Sequence, residues 1–203
     1  TFGQIQRELG DVFSSGAFDG ILGLSFPSLS AAHYTPVFDN IMKQNLLGQN
    51  AFSFYYSKPP RQASALVLGM PNTNLYKGEM RYLKVSRALY WEVELKDIKV
   101  GNNFLRVCDP GESCKAVVDT GTSLLTGPSD DISATLAKLD IQTDCSTMES
   151  LPTITYILKD NENEYHFPIE PEFYVVKSAS RDDDGDSPKY CKPGFMALEY
   201  VRC

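Results

Sequence analysis

A side chain that does chemistry must be held in a fixed setting, and Asp119 has one written into its neighbours. Val117 and Val118 lead into it, Thr120-Gly121-Thr122-Ser123 follow, and Leu124 and Leu125 lead away. The pattern carries a charged residue on a buried strand into a turn. A buried carboxylate needs hydrogen-bond donors, and this turn offers the backbone N–H of Gly121 and the hydroxyls of Thr122 and Ser123. The same residues also suit an ordinary aspartate at a strand end. A phosphorylated aspartate of an ion pump would be followed directly by lysine, and Thr120 holds that position. Serine or cysteine nucleophiles need a base, and the 2 histidines are His33, in a polar stretch, and His166, between Tyr165 and Phe167. Both read as structural or exposed. No Gly-x-Ser-x-Gly elbow, phosphate loop or dinucleotide fingerprint is present, so carboxylate chemistry is what remains.

The elements that must position Asp119 read as β-strands. Short alternating segments recur at residues 51–57, 64–68, 90–100, 115–118, 153–159 and 165–169, separated by Gly, Pro, Asn and Ser. Trp91, Val93 and Leu95 form an apolar face and Glu92, Glu94 and Lys96 a polar one, the period-2 signature of a strand with one solvated face. Two helices are expected. The first has Thr35 as cap, Pro36 as first residue, a stripe of Val37, Phe38, Ile41, Met42 and Leu46, and Gly48 past its end. The second starts at Ser129, carries Asp130 and Asp131 in its positive first turn, and buries Ile132, Leu136 and Leu139. The run Arg181-Asp182-Asp183-Asp184-Gly185-Asp186 reads as a solvated hairpin tip. It lacks the ligand order of a calcium loop, and no metal is expected.

Composition narrows the classes further. With 203 residues, 42% of them hydrophobic, the chain can bury a sizeable core as one large β domain or two small ones. The 19 basic and 26 acidic residues give a net charge of −7, which argues against nucleic acid, since phosphate backbones are held by clustered Lys and Arg. No stretch reaches the roughly 18 apolar residues of a membrane span. Thr1-Phe2-Gly3-Gln4 does not open a secretory signal, so a signal, if there is one, is expected upstream. The 5 cysteines lack zinc or redox spacing and suit an oxidising compartment. Cys108 and Cys114 bracket a Pro-Gly turn that brings them close enough to bridge. Cys145 and Cys191 are then the second candidate pair, with Cys203 left over. Counting alone allows 15 arrangements, five choices of free thiol times three pairings.

Beyond the individual residues, the chain resembles the pepsin and cathepsin D family of aspartic endopeptidases along nearly its whole length. The resemblance rests on Phe18-Asp19-Gly20-Ile21-Leu22-Gly23-Leu24, Phe26-Pro27-Ser28, Pro36-Val37-Phe38-Asp39-Asn40, Phe52-Ser53-Phe54-Tyr55, Leu68-Gly69, Tyr76-Lys77-Gly78 and Tyr90-Trp91. In order after these come Ala116 to Pro128 around Asp119, then Leu151-Pro152 and Gly194-Phe195-Met196. It implies an all-β, bilobal fold with a few short helices, incomplete at both ends. Residues 1–80 would be the remainder of the N-terminal lobe with the inter-lobe strands, and 81–203 the C-terminal lobe without its final strands. The family's first Asp-Thr-Gly-Ser, its flap and its closing strand are expected to lie outside this sequence, which departs from the family at Ala197 to Cys203.

By the same resemblance, Asp119 is one member of a catalytic pair of aspartates, without a cofactor. Gly121 and Thr122 hydrogen-bond its carboxylate, and Thr120 makes a cross-lobe hydroxyl contact. Phe18 and Ile21 wall the pocket before the scissile bond, Tyr90 and Val117 the pocket after it, and Ser123 touches substrate backbone. The implied partners are a polypeptide substrate, the N-terminal part carrying the first Asp-Thr-Gly, and statine-type inhibitors. The implied setting is secreted or an acidic, lysosome-like compartment. Two other readings stand beside it: an inactive or merely peptide-binding truncation, and a homodimer of the retroviral kind, against which the motif order counts. Alone, the chain is expected neither to cut protein nor to fold as a stable monomer, its faces at Trp91 and Val93 or Ile154 and Tyr156 being uncovered.

Overall fold

Residues 91–100 alternate apolar and polar side chains, and in the computed structural model they form the long strand around which the larger part of the chain is built. Residues 6, 18–58, 63–109, 111, 114–161, 163–179 and 189–199 are described by the structure. In chain order the helices are α1 (Val37–Lys43), α2 (Ser129–Leu136) and the single turn α3 (Pro171–Tyr174). The strands are β1 (Phe52–Tyr55), β2 (Ala65–Leu68), β3 (Arg87–Ala88), β4 (Trp91–Val100), β5 (Asn103–Phe104) and β6 (Cys114–Val117). They continue with β7 (Leu125–Pro128), β8 (Ile154–Asp160), β9 (Asn163–Ile169), β10 (Val175–Ala179), β11 (Lys189–Pro193) and β12 (Phe195–Leu198). The mostly-β fold read from the sequence holds.

The chain divides into two units: Thr1–Tyr82 with Ala88–Tyr90, and Leu83–Arg87 with Trp91–Cys203. In the first, β1 and β2 pair antiparallel with Phe52 opposite Leu68. Phe38 of α1 is buried and meets Phe52 edge-on at 5.0 Å. Helix α1 begins one residue later than expected: Pro36 is its cap and, having no side-chain acceptor, leaves the first-turn N–H groups without a side-chain cap. It also ends at Lys43, because the chain turns at Asn45 through a φ of 53°, leaving Leu46 outside the stripe and exposed.

In the second unit β4 pairs antiparallel with β8 and, along its other edge, with β5 and β6, while β9 extends the sheet beyond β8. Lys115 and Lys159 both meet Glu94, at 3.4 and 3.8 Å, and Lys96 pairs with Glu164, so the polar face is solvated as expected. The apolar side changes parity along the strand. Val93 and Leu95 are buried, but so are Ile98 and Val100, since the register slips between Leu95 and Asp97. Such a bulge shifts the inward face by one residue.

The core gathers Leu95, Ile98, Val100, Leu151, Ile154, Tyr174, Val175 and Cys191. Val93 and Ile154 are buried within the chain, which corrects the expectation of uncovered faces at these two residues, whereas Trp91 is exposed as expected; Tyr156 is half buried, and burial raises its phenol pKa. Each fully buried large apolar side chain contributes roughly 1.5–3 kcal/mol. Helix α2 starts at Ser129 with Asp130 and Asp131 in its first turn, and it buries Ile132 and Thr135. Leu136 is only half buried, and Leu139 packs on the core from beyond the helix end. Burial and the charge of Asp130 raise the Asp131 pKa. Disulfides join Cys108 to Cys114 and Cys145 to Cys191. Cys203 and the acidic run from Arg181 to Asp186 lie outside the described residues.

Candidate active site

The turn that carries Asp119 is held at both stems by backbone hydrogen bonds. On the entering side β6 pairs with β4, Val117 lying opposite Glu92, and the N–H of Val118 donates to the carbonyl of Trp91 at 2.9 Å. On the leaving side β7 pairs in parallel with β12, Leu125 opposite Phe195, and the Leu125 N–H donates to the carbonyl of Gly194 at 2.9 Å. Residues 119–123 form the exposed tip between these stems.

Within the tip the carboxylate of Asp119 accepts two bonds. The Gly121 N–H donates to Oδ1 at 2.8 Å, and the Thr122 hydroxyl donates to Oδ2 at 2.5 Å. Each carboxyl oxygen is thereby oriented by its own donor. A Cβ at position 121 would stand 3.2 Å from Oδ1, so a side chain there would crowd the carboxylate; glycine leaves the backbone N–H free to approach. The Ser123 hydroxyl, expected as a third donor, does not bond the carboxylate. The turn brings the chain back over Asp119 at the second and third residues after it and then leaves toward β7.

The setting is also less buried than the valine run suggests. Val117 is 47% and Val118 61% exposed, and Asp119 itself is exposed. Period 2 explains this: Cys114 and Ala116 of β6 pack on the core, which puts Val117 on the outward face with Lys115. The carboxylate therefore stands in reach of solvent, with the donors fixing its orientation. An arrangement of this kind can accept a proton from a water or donate one to an oxygen.

The expected pocket residues fall in both units. Val117, Asp119, Thr120 and Ser123 belong to the second, while Phe18, Ile21 and Tyr90 belong to the first. In the first unit Phe18 and Tyr90 are each 43% exposed and Ile21 is 82% exposed. The hydroxyls of Ser25 and Ser28 donate to the carbonyls of Leu89 and Ala88 at 2.8 and 2.5 Å, tying the segment after Ile21 to the residues just before Tyr90. Sequence reasoning gave Gly194 no role, although it contains the acceptor that holds the leaving stem. Its signal was the motif Gly194-Phe195-Met196, quoted only as a point of resemblance. Among the described residues no group of three or more His, Cys, Asp and Glu side chains could hold a metal ion. Likewise, no described helix is long and apolar enough to cross a membrane.

Comparison with known proteins gives this geometry a family. The model described as eukaryotic aspartyl protease matches residues 1–199. Cathepsin D of Rattus norvegicus is 37% identical over 208 residues, covering 98% of this chain and 48% of that protein. Cathepsin E of Mus musculus is 36% identical over 207 residues, with 98% and 49% covered. Cathepsin D of Homo sapiens is 35% identical over 208 residues, with 98% and 48% covered. The chain thus spans about half the length of the curated relatives it matches. With an Asp-Thr-Gly turn held between two strands, and with this match along nearly its whole length, the chain belongs to the pepsin-like eukaryotic aspartyl proteases.

Proposed function

We propose that this chain supplies one of the two catalytic aspartates, Asp119, of an acid endopeptidase whose other aspartate comes from an Asp-Thr-Gly-Ser segment of a separate or longer chain. The observation that carries the reading is the carboxylate of Asp119, held by the Gly121 N–H and the Thr122 hydroxyl on an exposed tip. Two carboxylates brought close together cannot both ionise, so they share a proton, as in the aspartic protease pairs from which that rule is drawn. The ionised one takes a proton from a water held between them as the water attacks the peptide carbonyl. The protonated one donates to the carbonyl oxygen. One carboxyl must stay neutral, so the activity belongs at acid pH.

In this reading residues 1–80 belong to the N-terminal lobe and 81–203 to the C-terminal lobe. The exposed apolar side chains of Phe18, Ile21, Tyr90 and Val117 contact large apolar substrate residues on either side of the cut, Ser123 meets substrate backbone, and Thr120 bonds across the lobes. Two disulfides suit a secreted or acidic endomembrane setting. A statine-type mimic of the tetrahedral state is the matching inhibitor class. The second reading is a product that binds peptide without cutting it.

The test is reconstitution with a chain bearing Asp-Thr-Gly-Ser, followed by Asp119→Asn. Acid proteolysis should appear on mixing, respond to the statine-type inhibitor, and fall by about 10²–10⁴-fold in the variant, the range of positioned acid–base catalysis. Undiminished turnover in Asp119→Asn, or an optimum above about pH 7, overturns the catalytic reading. Peptide binding without turnover supports the second one.

A further inference from the structure

Gly194 is the point where two small sheets meet. Its N–H donates to the carbonyl of Tyr174 at 2.7 Å, at the start of the hairpin β10–β11, and its carbonyl accepts from Leu125 at 2.9 Å, at the start of β7. There is no room for a side chain. A Cβ at this position would lie 2.9 Å from the Tyr174 carbonyl oxygen and 3.3 Å from Val176 Cγ2, and the closer atom is backbone, which cannot swing aside.

The hairpin is itself anchored. Cys191, three residues before Gly194, is 2% exposed, is bridged to Cys145, and donates its N–H to the carbonyl of Thr143 at 2.8 Å. Residues 143–145 follow helix α2, and α2 follows β7 directly. The chain from Leu125 through α2 to Cys145, across the bridge to Cys191, and on to Gly194 therefore closes a ring whose last link is the Leu125–Gly194 bond. The Asp119 tip hangs from this ring on one side and from the Trp91–Val118 bond on the other.

We infer that Gly194, held by the Cys145–Cys191 bridge, is a positioning residue for Asp119: by fixing Leu125 it sets how residues 119–123 fold back, and so keeps the Gly121 N–H on the carboxylate. The inference rests on the proposed catalytic role of Asp119 for its meaning, but its test does not. If Leu125 moves away from Gly194, the leaving stem is free at its first residue and the tip loses one of its two fixed ends. The bonds from Gly121 and Thr122 then hold only part of the time. The core strands β4 and β8, which make no bond to Gly194, keep theirs.

Amide hydrogen exchange on the chain with Gly194→Ala separates a local effect from a global one, because sub-global opening exposes only the amides it releases. The Gly121 and Leu125 amides should exchange at least about tenfold faster, while those of Ile98 and Ile157 stay within about twofold of their original rates. A uniform acceleration, or an unchanged Gly121 rate, overturns the inference. Should Gly194→Ala fail to fold, Cys145→Ala with Cys191→Ala loosens the same junction from the far side. Losing the bridge also speeds the amides that open only on global unfolding, so the criterion is the tip itself: Gly121 and Leu125 must again exchange at least about tenfold faster, and unchanged rates at these two amides overturn the proposal. In the reconstituted protease Gly194→Ala should lower kcat with little change in KM. If Asp119→Asn leaves turnover intact, the catalytic reading fails while the exchange result still decides the positioning role.

Discussion

Tyr174 ties the core to the stem of the candidate site through one side chain. Its hydroxyl donates to the carbonyl of Pro152 at 2.6 Å while its own carbonyl takes the Gly194 N–H. Burial, with the charge of Glu170 behind it, pushes its phenol pKa up from 10.0 to about 12. The native state thus keeps a proton that the unfolded chain releases near the ordinary value. The stabilisation is fully present below about pH 10 and is lost as pH rises toward 12. Tyr174→Phe removes the donor and strands the Pro152 carbonyl, which should cost about 1–3 kcal/mol at neutral pH. Urea titrations should find the gap between the two proteins closing between about pH 10 and 12; a gap independent of pH would contradict the assignment. Contacts made two or three residues away are legible in sequence, as the Asp119, Gly121 and Thr122 cluster was from residue type and spacing. Gly194 was not, because its partner Leu125 lies 69 positions earlier (194 − 125) and no local pattern encodes such a meeting. The exposure of Val117 was legible in principle, from its parity with Lys115.

At the level of elements, β4 was expected over its whole length, but its faces were assigned only to Lys96, and the change of parity beyond that point is hidden from an alternating pattern, which assumes an unbroken register. The bulge is held by Asp97, whose Oδ1 accepts from the N–H of Ile98 at 2.8 Å and of Val107 at 3.3 Å. Asp97→Ala leaves both amides without that acceptor and should cost about 1–3 kcal/mol by urea unfolding, while Asp97→Asn, which keeps an oxygen there, should cost less. Equal losses in the two variants would mean that the acceptor is unimportant. Strands β7, β10, β11 and β12 lie outside the segments expected as strands, although the run between β10 and β11 reads as a hairpin tip. β7 and β12 are four residues long and pair with each other from far apart in the chain, so neither length nor alternation marks them. Helix α2 was recognised from its first turn, where acidic residues suit the positive end.

Across the whole molecule, the two disulfides differ most in the length of chain they close, 46 residues for Cys145–Cys191 against 6 for Cys108–Cys114. In the chain-entropy account these are worth about 4 and about 2 kcal/mol. Replacing each pair by alanine should therefore destabilise in that order, and the reverse order in urea midpoints would point to an effect in the native state. The two units differ in burial as well. The core of eight buried side chains belongs to the second unit, whereas Phe38 is the large apolar side chain of the first that is buried among its described residues. Native-state exchange should accordingly be faster across β1 and β2 than across β4 and β8. The pairing directions add a mechanical consequence. In the antiparallel pair β1–β2 the outer ends, Phe52 and Leu68, face each other, so tension along the chain peels its bonds apart one at a time. In the parallel pair β7–β12, pulling Leu125 backward and Leu198 forward slides the strands along their length and loads all their bonds together. Stretched end to end, the protein should give way first at the hairpin, leaving the strand behind Asp119 seated until much higher force.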